Sequence, residues 1–183
     1  MHLYFKNSYK PPFSENLESV CLGMGCFWGA EKVFWQTKGV YTTAVGYAGG
    51  EYDEPSYQSV STGKTNHAEV VLVVFNPKIV TLKNLLNIFF LSHDPTQVNR
   101  QGNDIGSQYR SIILVNEKED YDKSKNILLK AQKKFQEYNL GPIATEIKIL
   151  NKFYYAEDYH QQYLISNPNG YCNLKNLDIK LDL

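Results

Sequence analysis

A ferredoxin-like α/β sandwich, with helices packed on a mixed sheet, is the fold class that the sequence predicts. Three observations carry this expectation. From residue 18 onward, strand-like and helix-like segments alternate in the order βαββαβ and then add a further αβα. The strand-like runs are short, apolar and rich in β-branched residues, whereas the helix-like runs place apolar residues three and four positions apart. At 183 residues, 43% of them hydrophobic, the chain falls within the roughly 100 to 200 residues of one domain with one sizeable core. A single domain is therefore expected over 1–183, with its core at about 18–165 and an irregular C-terminal tail at 166–183.

The elements follow in order. SVCLG (19–23) is apolar and partly β-branched, and the glycines after it end the strand just before CFWGAEKVFWQ (26–36) begins a helical period. Ala30, Val33, Phe34 and Thr37 share one face of that helix. VYTTAVGY (40–47) and AEVVLVVF (68–75) read as strands. Thr81 is placed to cap a helix through TLKNLLNIFFLSH, whose apolar stripe is Leu82, Leu85, Leu86 and Phe89. RSIILVN (110–116) is a strand, EDYDKSKNILLKAQKKFQEYN (119–139) a long amphipathic helix stopped near Gly141-Pro142, and ATEIKIL (144–150) a further strand. AEDYHQQYL (156–164) reads as a short helix. From Ile165 onward Pro168, Gly170 and several asparagines interrupt any periodicity, which predicts a surface tail. No internal repeat or low-complexity tract is visible.

Charge and composition exclude some classes. Nineteen basic and nineteen acidic residues give a formal net charge of zero, so the positive field a nucleic-acid binder uses is missing. The start, MHLYFKNSYKPPF, has no secretory apolar run, and no stretch of about 18 apolar residues occurs for a membrane span. A cytoplasmic, monomeric protein without a membrane or nucleic-acid partner is expected. Cys21, Cys26 and Cys172 are too few and too unevenly spaced for a structural disulfide framework.

GMGCFWGAE (23–31) raises the chemical question, because it sets a thiol at a strand-to-helix turn. There, unpaired N–H groups and the positive end of the helix dipole favour an anion, an effect that lowers a thiol pKa by about one unit. Cys26 is thus either a reactive thiol or a small apolar residue packed at a helix start. Phe27 and Trp28 are more aromatic bulk than the first turn needs; they line either a second cluster or an apolar pocket beside the sulfur. Cys21, inside a strand without polar neighbours, is assigned to packing. In HAEVVLVVF (67–75) both faces beyond Glu69 are apolar, so the strand belongs inside the sheet with Glu69 at its wet end. There Glu69 is either a solvated strand-end charge or a partly desolvated carboxyl with the raised pKa of a general acid.

His67-Ala-Glu69 matches the H-x-E of zinc deaminases, but their P-C-x-x-C partner is absent, and the cysteines lack any C-x-x-C spacing for a zinc site. No metal is expected. His93 and His160 stand as bases for a cysteine hydrolase, although spacing alone does not bring either to Cys26. A non-catalytic module that uses the aromatics to hold an apolar side chain is the third class.

GCFWGAE (25–31), GYAGG (46–50), SYQSVSTGKTNHAEVV (56–71), HDPTQVNRQGNDIGSQYRS (93–111), HQQYL (160–164) and GYC (170–172) together resemble the A-type peptide methionine sulfoxide reductases, over about residues 18–172. These enzymes reverse methionine oxidation, one enzyme per sulfoxide epimer. The resemblance implies reduction of the S epimer, free or in proteins, in protein repair under oxidative stress. It makes Cys26 the nucleophile on the sulfoxide sulfur and lets Phe27 and Trp28 hold the S-methyl group. Glu69 becomes the proton donor to the sulfoxide oxygen, Tyr57 and Tyr109 hydrogen-bond donors to it, and Asp104 part of the surrounding polar shell. It further implies that the sulfenic acid on Cys26 is resolved by Cys172 into a disulfide that thioredoxin reduces, with no cofactor. The sequence departs from the common family pattern at Met24, where a glycine often stands, at the extra thiol Cys21, and in having no cysteine after Cys172.

Overall fold

The computed structural model describes all of residues 1–183. In chain order the elements are β1 (Glu18–Gly23), α1 (Phe27–Trp35), β2 (Val40–Ala48), α2 (Tyr57–Ser61), β3 (Ala68–Phe75), α3 (Leu82–Leu91), β4 (Arg100–Gln101), β5 (Asp104–Ile105), β6 (Ile112–Val115), α4 (Lys118–Glu137), β7 (Glu146–Ile149), β8 (Phe153–Tyr155) and α5 (Tyr163–Ser166). Short 3-10 turns at Ser107–Tyr109 and Asp158–His160 precede β6 and α5.

Six strands form one sheet in the order β7-β6-β1-β3-β2-β8. β6, β1, β3 and β2 are mutually antiparallel neighbours, the ferredoxin-like arrangement, while β7 adds parallel to β6 and makes the sheet mixed. The predicted fold class is thereby observed. β3 lies between β1 and β2 and is buried at all eight positions, which is why both of its faces are apolar. Val71, Val73 and Phe75 join Val20, Leu22, Ile113 and Val115 under α1, α3 and α4, where Phe34, Leu85, Phe89 and Phe135 complete the main core. Val70, Leu72 and Val74 face the other way with Cys21, Ala44 and Leu114, and the N-terminal segment covers them with Tyr9, Phe13 and Leu17. The assignment of Cys21 to packing is thus met, and burial raises its thiol pKa.

Two sequence expectations are corrected. AEDYHQQYL is not one helix, because Gln162 takes a left-handed conformation (φ 50°) and separates the turn at 158–160 from α5. Its polar side chains bond across to other elements rather than repeating along a helix. The tail after Ser166 is irregular, as predicted, but it is not loosely held on the surface. Leu181 and Leu183 are buried in the main core, and Leu174, Leu177 and Ile179 pack against it. The hydrophobic spacing Leu177, Ile179, Leu181, Leu183 is what anchors it. α2, β8 and the β4–β5 hairpin are too short to carry a periodic signal and were not predicted, although Ser56 and Ser59 form a reciprocal capping box at the start of α2.

Because Leu181 is 8% exposed and lies within the main core, Leu181→Ala is expected to lower unfolding stability by about 2 to 4 kcal/mol. Urea titration reads this directly, and an unchanged midpoint would show the tail to be unanchored.

Candidate active site

The geometry begins at the turn between β1 and α1. Gly25 has φ +100°, a conformation glycine adopts without strain, and it turns the chain so that Cys26 becomes the N-cap of α1. Cys26 makes no side-chain cap bond to the helix. A carboxyl from another strand does the capping instead: Glu69 Oε2 accepts the Phe27 N–H at 3.0 Å. A strand buried on both faces thus delivers its one acidic residue to the orphan donors of a helix start.

Cys26, Phe27, Trp28, Tyr57, Glu69, Asp104, Tyr109 and Tyr171 line one cavity of about 200 Å³. Seven of these eight are the residues predicted from the sequence; Tyr171 was missed. Cys26 is 9% exposed and Glu69 3% exposed, so Glu69 is no solvated strand-end charge. Burial, opposed by the bond from Phe27 and assisted by the charge of Asp104, pushes the Glu69 carboxyl up to about 8. Burial likewise raises the Tyr57 and Tyr109 hydroxyls, and Glu69 adds to both.

The expected thiolate at Cys26 is corrected by the same burial. The N–H groups of Trp28 and Gly29 do favour the anion, but desolvation and then the neighbouring Glu69 carboxylate outweigh them, and the thiol pKa is raised. The ligand-free cavity therefore holds its protons at neutral pH: on the thiol, on both phenols and on most of the Glu69 carboxyl.

The aromatic wall is braced from behind. Trp28 Nε1–H donates to His160 Nδ1 at 3.1 Å, and the Trp28 ring stacks on Tyr163 at 3.8 Å between centroids. Phe27 is fully buried with Tyr47 and Val45. Glu157 Oε1 accepts the Tyr57 N–H at 2.9 Å and its Oε2 accepts the Tyr47 hydroxyl at 2.8 Å. Arg110 is buried and donates to the carbonyls of Ser107 and Asn66 at 2.9 and 3.0 Å, which fixes the segments bearing Tyr109 and Glu69. The bracing roles of His160, Tyr163, Glu157 and Arg110 were not read from the sequence, because their contacts with Trp28, Tyr57 and Asn66 join residues 44 or more positions apart.

Cys172 lies outside the cavity lining and is exposed. It is nevertheless held beside α1. A Cβ at Gly29 would sit 3.0 Å from the Cys172 sulfur and 3.1 Å from Leu174, so the missing side chain at residue 29 is what admits the tail. Tyr171 donates to Asp104 Oδ1 at 3.0 Å, and Asn173 Nδ2 donates to the Gln101 carbonyl at 2.9 Å. Bonds on both flanks thus tie Cys172 to the β4–β5 hairpin. All three cysteines are free thiols.

The alternatives lose their footing here. His93 is fully buried between the Phe89 carbonyl and Ser111, away from the cavity, and the His160 nitrogen nearest Trp28 already accepts a hydrogen bond. No group of three or more His, Cys, Asp or Glu side chains is placed to hold a metal ion.

A buried thiol facing a proton-holding carboxyl, with a second free thiol brought to the same helix, is the constellation of a thiol-based oxidoreductase. Comparison with known proteins agrees. The family model described as peptide methionine sulfoxide reductase matches residues 18–181. A Brucella anthropi protein named peptide methionine sulfoxide reductase MsrA is 54% identical over 174 residues, covering 94% of this chain and 80% of that protein. A Rippkaea orientalis protein of the same name is 56% identical, covering 90% and 76%. Among solved structures, methionine sulfoxide reductase A of Corynebacterium diphtheriae superposes with TM-score 0.87 at 42% identity, over 93% of this chain and 83% of that one. Mxr1 from Saccharomyces cerevisiae in reduced form gives 0.82 at 39% identity, over 91% and 92%. The same yeast protein in complex with Trx2 gives 0.59 at 28% identity, over 86% and 90%. The chain belongs to the peptide methionine sulfoxide reductase family and is an oxidoreductase of methionine sulfoxide.

With its pKa raised from 4.5 to about 8, Glu69 keeps in the folded protein a proton that the unfolded chain releases. Its contribution to stability therefore falls as pH rises between those values, by about 1.4 kcal/mol per unit at most, and levels off above them. Glu69→Gln keeps an acceptor for Phe27 N–H and removes that slope, so the variant should gain stability relative to the parent between about pH 5 and about pH 9 in urea unfolding. A difference independent of pH would mean that Glu69 is ionised throughout.

Proposed function

We propose that the protein reduces the S epimer of methionine sulfoxide, free or in proteins, through a sulfenic acid on Cys26 and a Cys26–Cys172 disulfide that thioredoxin reduces. The observation that carries this reading is the cavity's supply of protons opposite a sulfur nucleophile. A sulfoxide sulfur becomes electrophilic when its oxygen is protonated or strongly hydrogen-bonded, and Glu69, Tyr57 and Tyr109 are the donors to that oxygen. Phe27 and Trp28 take the S-methyl group. Asp104 belongs to the polar shell and holds Tyr171. With the oxygen, the methyl group and the attacking sulfur each assigned a separate wall, only one configuration at the sulfoxide sulfur leaves the rest of the substrate pointing outward.

In the first step the Cys26 sulfur attacks, the sulfoxide loses its oxygen, and Cys26–SH plus R–S(O)–CH3 becomes Cys26–SOH plus R–S–CH3. Substrate gains two electrons and Cys26 loses two. The proton given by Glu69 is restored by the one lost from the thiol, so a neutral Cys26 in the empty site is compatible with the chemistry. Cys172 then displaces water from the sulfenic acid and forms the disulfide, and a dithiol reductant returns both cysteines to thiols. No cofactor enters the scheme. The yeast relative's complex with Trx2 supports thioredoxin as that reductant, and the exposure of Cys172 supports access to it. Three free cysteines suit a reducing compartment, and the reading is of one cytoplasmic, monomeric catalytic domain. No helix is long and apolar enough to cross a membrane.

The test is a racemic methionyl sulfoxide peptide with dithiothreitol, resolved by chiral chromatography. Loss of the S epimer alone is expected; loss of the R epimer or of neither overturns the proposal. Glu69→Gln should slow the reduction by roughly 10²-fold or more, the usual worth of a general acid.

The relay is tested separately. Cys172→Ser should release one methionine per enzyme at the parent rate and then stall with thioredoxin, while a small thiol still sustains turnover. Gly29→Ala should leave that first turnover intact and slow disulfide closure roughly tenfold, since its methyl group displaces Cys172 and Leu174. If Cys172→Ser cycles normally with thioredoxin and Cys21→Ser does not, the resolving thiol is Cys21.

A further inference from the structure

Behind the cavity lies a second buried polar cluster that the reaction scheme does not use. Glu31, on α1 five residues after Cys26, is fully buried. It receives hydrogen bonds from Gln162 N–H at 2.8 Å on Oε2, and from Gln162 Nε2 at 2.9 Å and Thr43 Oγ1 at 3.0 Å on Oε1. His2, also fully buried, completes the set. Its Nδ1 accepts the N–H groups of Tyr4 and Phe5 at 3.1 and 3.3 Å, which leaves the ring proton on Nε2, 2.8 Å from Thr43 Oγ1. The His2 ring donates to the Thr43 hydroxyl, and that hydroxyl passes its single proton on to Glu31.

Every neighbour of the Glu31 carboxyl is therefore a donor, a set that its ionised, acceptor-only form matches, although burial outweighs these bonds and raises the carboxyl to about 7. The most consequential neighbour is Gln162, whose φ of 50° is a left-handed conformation that is unfavourable for a non-glycine residue. It holds that conformation while both its backbone N–H and its side-chain amide are fixed by Glu31. His160, two residues before it, and Tyr163, directly after it, touch Trp28, the first through the indole N–H and the second by stacking, while the intervening Gln161 is bonded to the Val45 backbone.

We infer that Glu31 is a positioning residue for substrate binding: by clamping Gln162 in its left-handed conformation, it seats His160 and Tyr163 against Trp28 and so fixes the wall that receives the S-methyl group. The inference rests on the assignment of Trp28 to the S-methyl group made under Proposed function. Glu31 touches no substrate; it acts through Gln162.

Single-turnover reduction of a methionine sulfoxide peptide, measured as a function of its concentration, tests this. Glu31→Gln sets an amide NH2 against a donor and should raise the half-saturating concentration roughly tenfold, with the maximal rate kept within about twofold. Gln162→Ala is the second variant. Alanine keeps the disfavoured φ of 50° and the backbone N–H while the side-chain bond to Glu31 is lost, so the same displacement in concentration is expected. In a Trp28→Ala background neither change should add to the effect of Trp28→Ala, because all three act on one wall. A merely structural role predicts additive losses, or a lower maximal rate with unchanged saturation, and either result overturns the inference. If Trp28→Ala itself leaves saturation unchanged, the S-methyl assignment fails with it. If Trp28→Ala weakens saturation and neither Glu31→Gln nor Gln162→Ala does, only the role of Glu31 fails.

Discussion

One hydrogen bond, from Phe27 N–H to the Glu69 carboxyl, carries the rest of the site. β3 is covered on both faces, so a carboxyl at its end has little water to solvate it. α1 starts at a cysteine that does not cap it, so its first N–H has no partner within the helix. Each unsatisfied group is the other's solution. The bond fixes the distance between the second residue of β3 and the first turn of α1, and the cavity occupies the space between them. Everything else in the lining, from Tyr57 on α2 to Tyr109 before β6, is arranged around that contact.

The same contact explains why the site keeps its protons. A helix start favours negative charge, but here it is shared between a thiol and a carboxyl that are both shielded from water. The two cannot easily be ionised together, and burial raises both. For a reaction in which oxygen leaves a sulfoxide, a protonated carboxyl and two protonated phenols are more useful than a permanently charged thiolate. Under the proposed mechanism, burial, which makes the free thiol less nucleophilic, also supplies the acid that makes the substrate more electrophilic.

Around this centre the chain closes in layers that come from its two ends. The N-terminal segment covers one face of the sheet and sends His2 toward Glu31. The C-terminal tail passes the start of α1 at Gly29 and reaches the ends of α3 and α4, where the Leu177 and Lys180 N–H groups donate to the Leu91 carbonyl and the Tyr138 hydroxyl. Leu181 and Leu183 are anchored in the core, and Tyr171 enters the cavity wall. Cys172 is thus held near the helix that bears Cys26 before any disulfide forms.

The sequence by itself determined β1, β2, β3, β6 and β7, the main helices and their ferredoxin-like order, because apolar periodicity is a local property and recurs in every long element. It also named Cys26, Phe27 and Trp28 as one group and marked Glu69 as the odd acid in an apolar strand; the resemblance to a known family added Tyr57, Tyr109, Asp104 and Cys172. The left-handed break at Gln162, the seating of the tail and the pairing of Glu31 with Gln162 were decided by contacts between residues far apart in the chain, which no local pattern records. The protonation of Cys26 was decided in the same way. A helix start shifts a thiol by about one unit wherever it occurs, but the larger and opposite effect of burial depends on which other elements close over the sulfur, and only the tertiary structure brings them there.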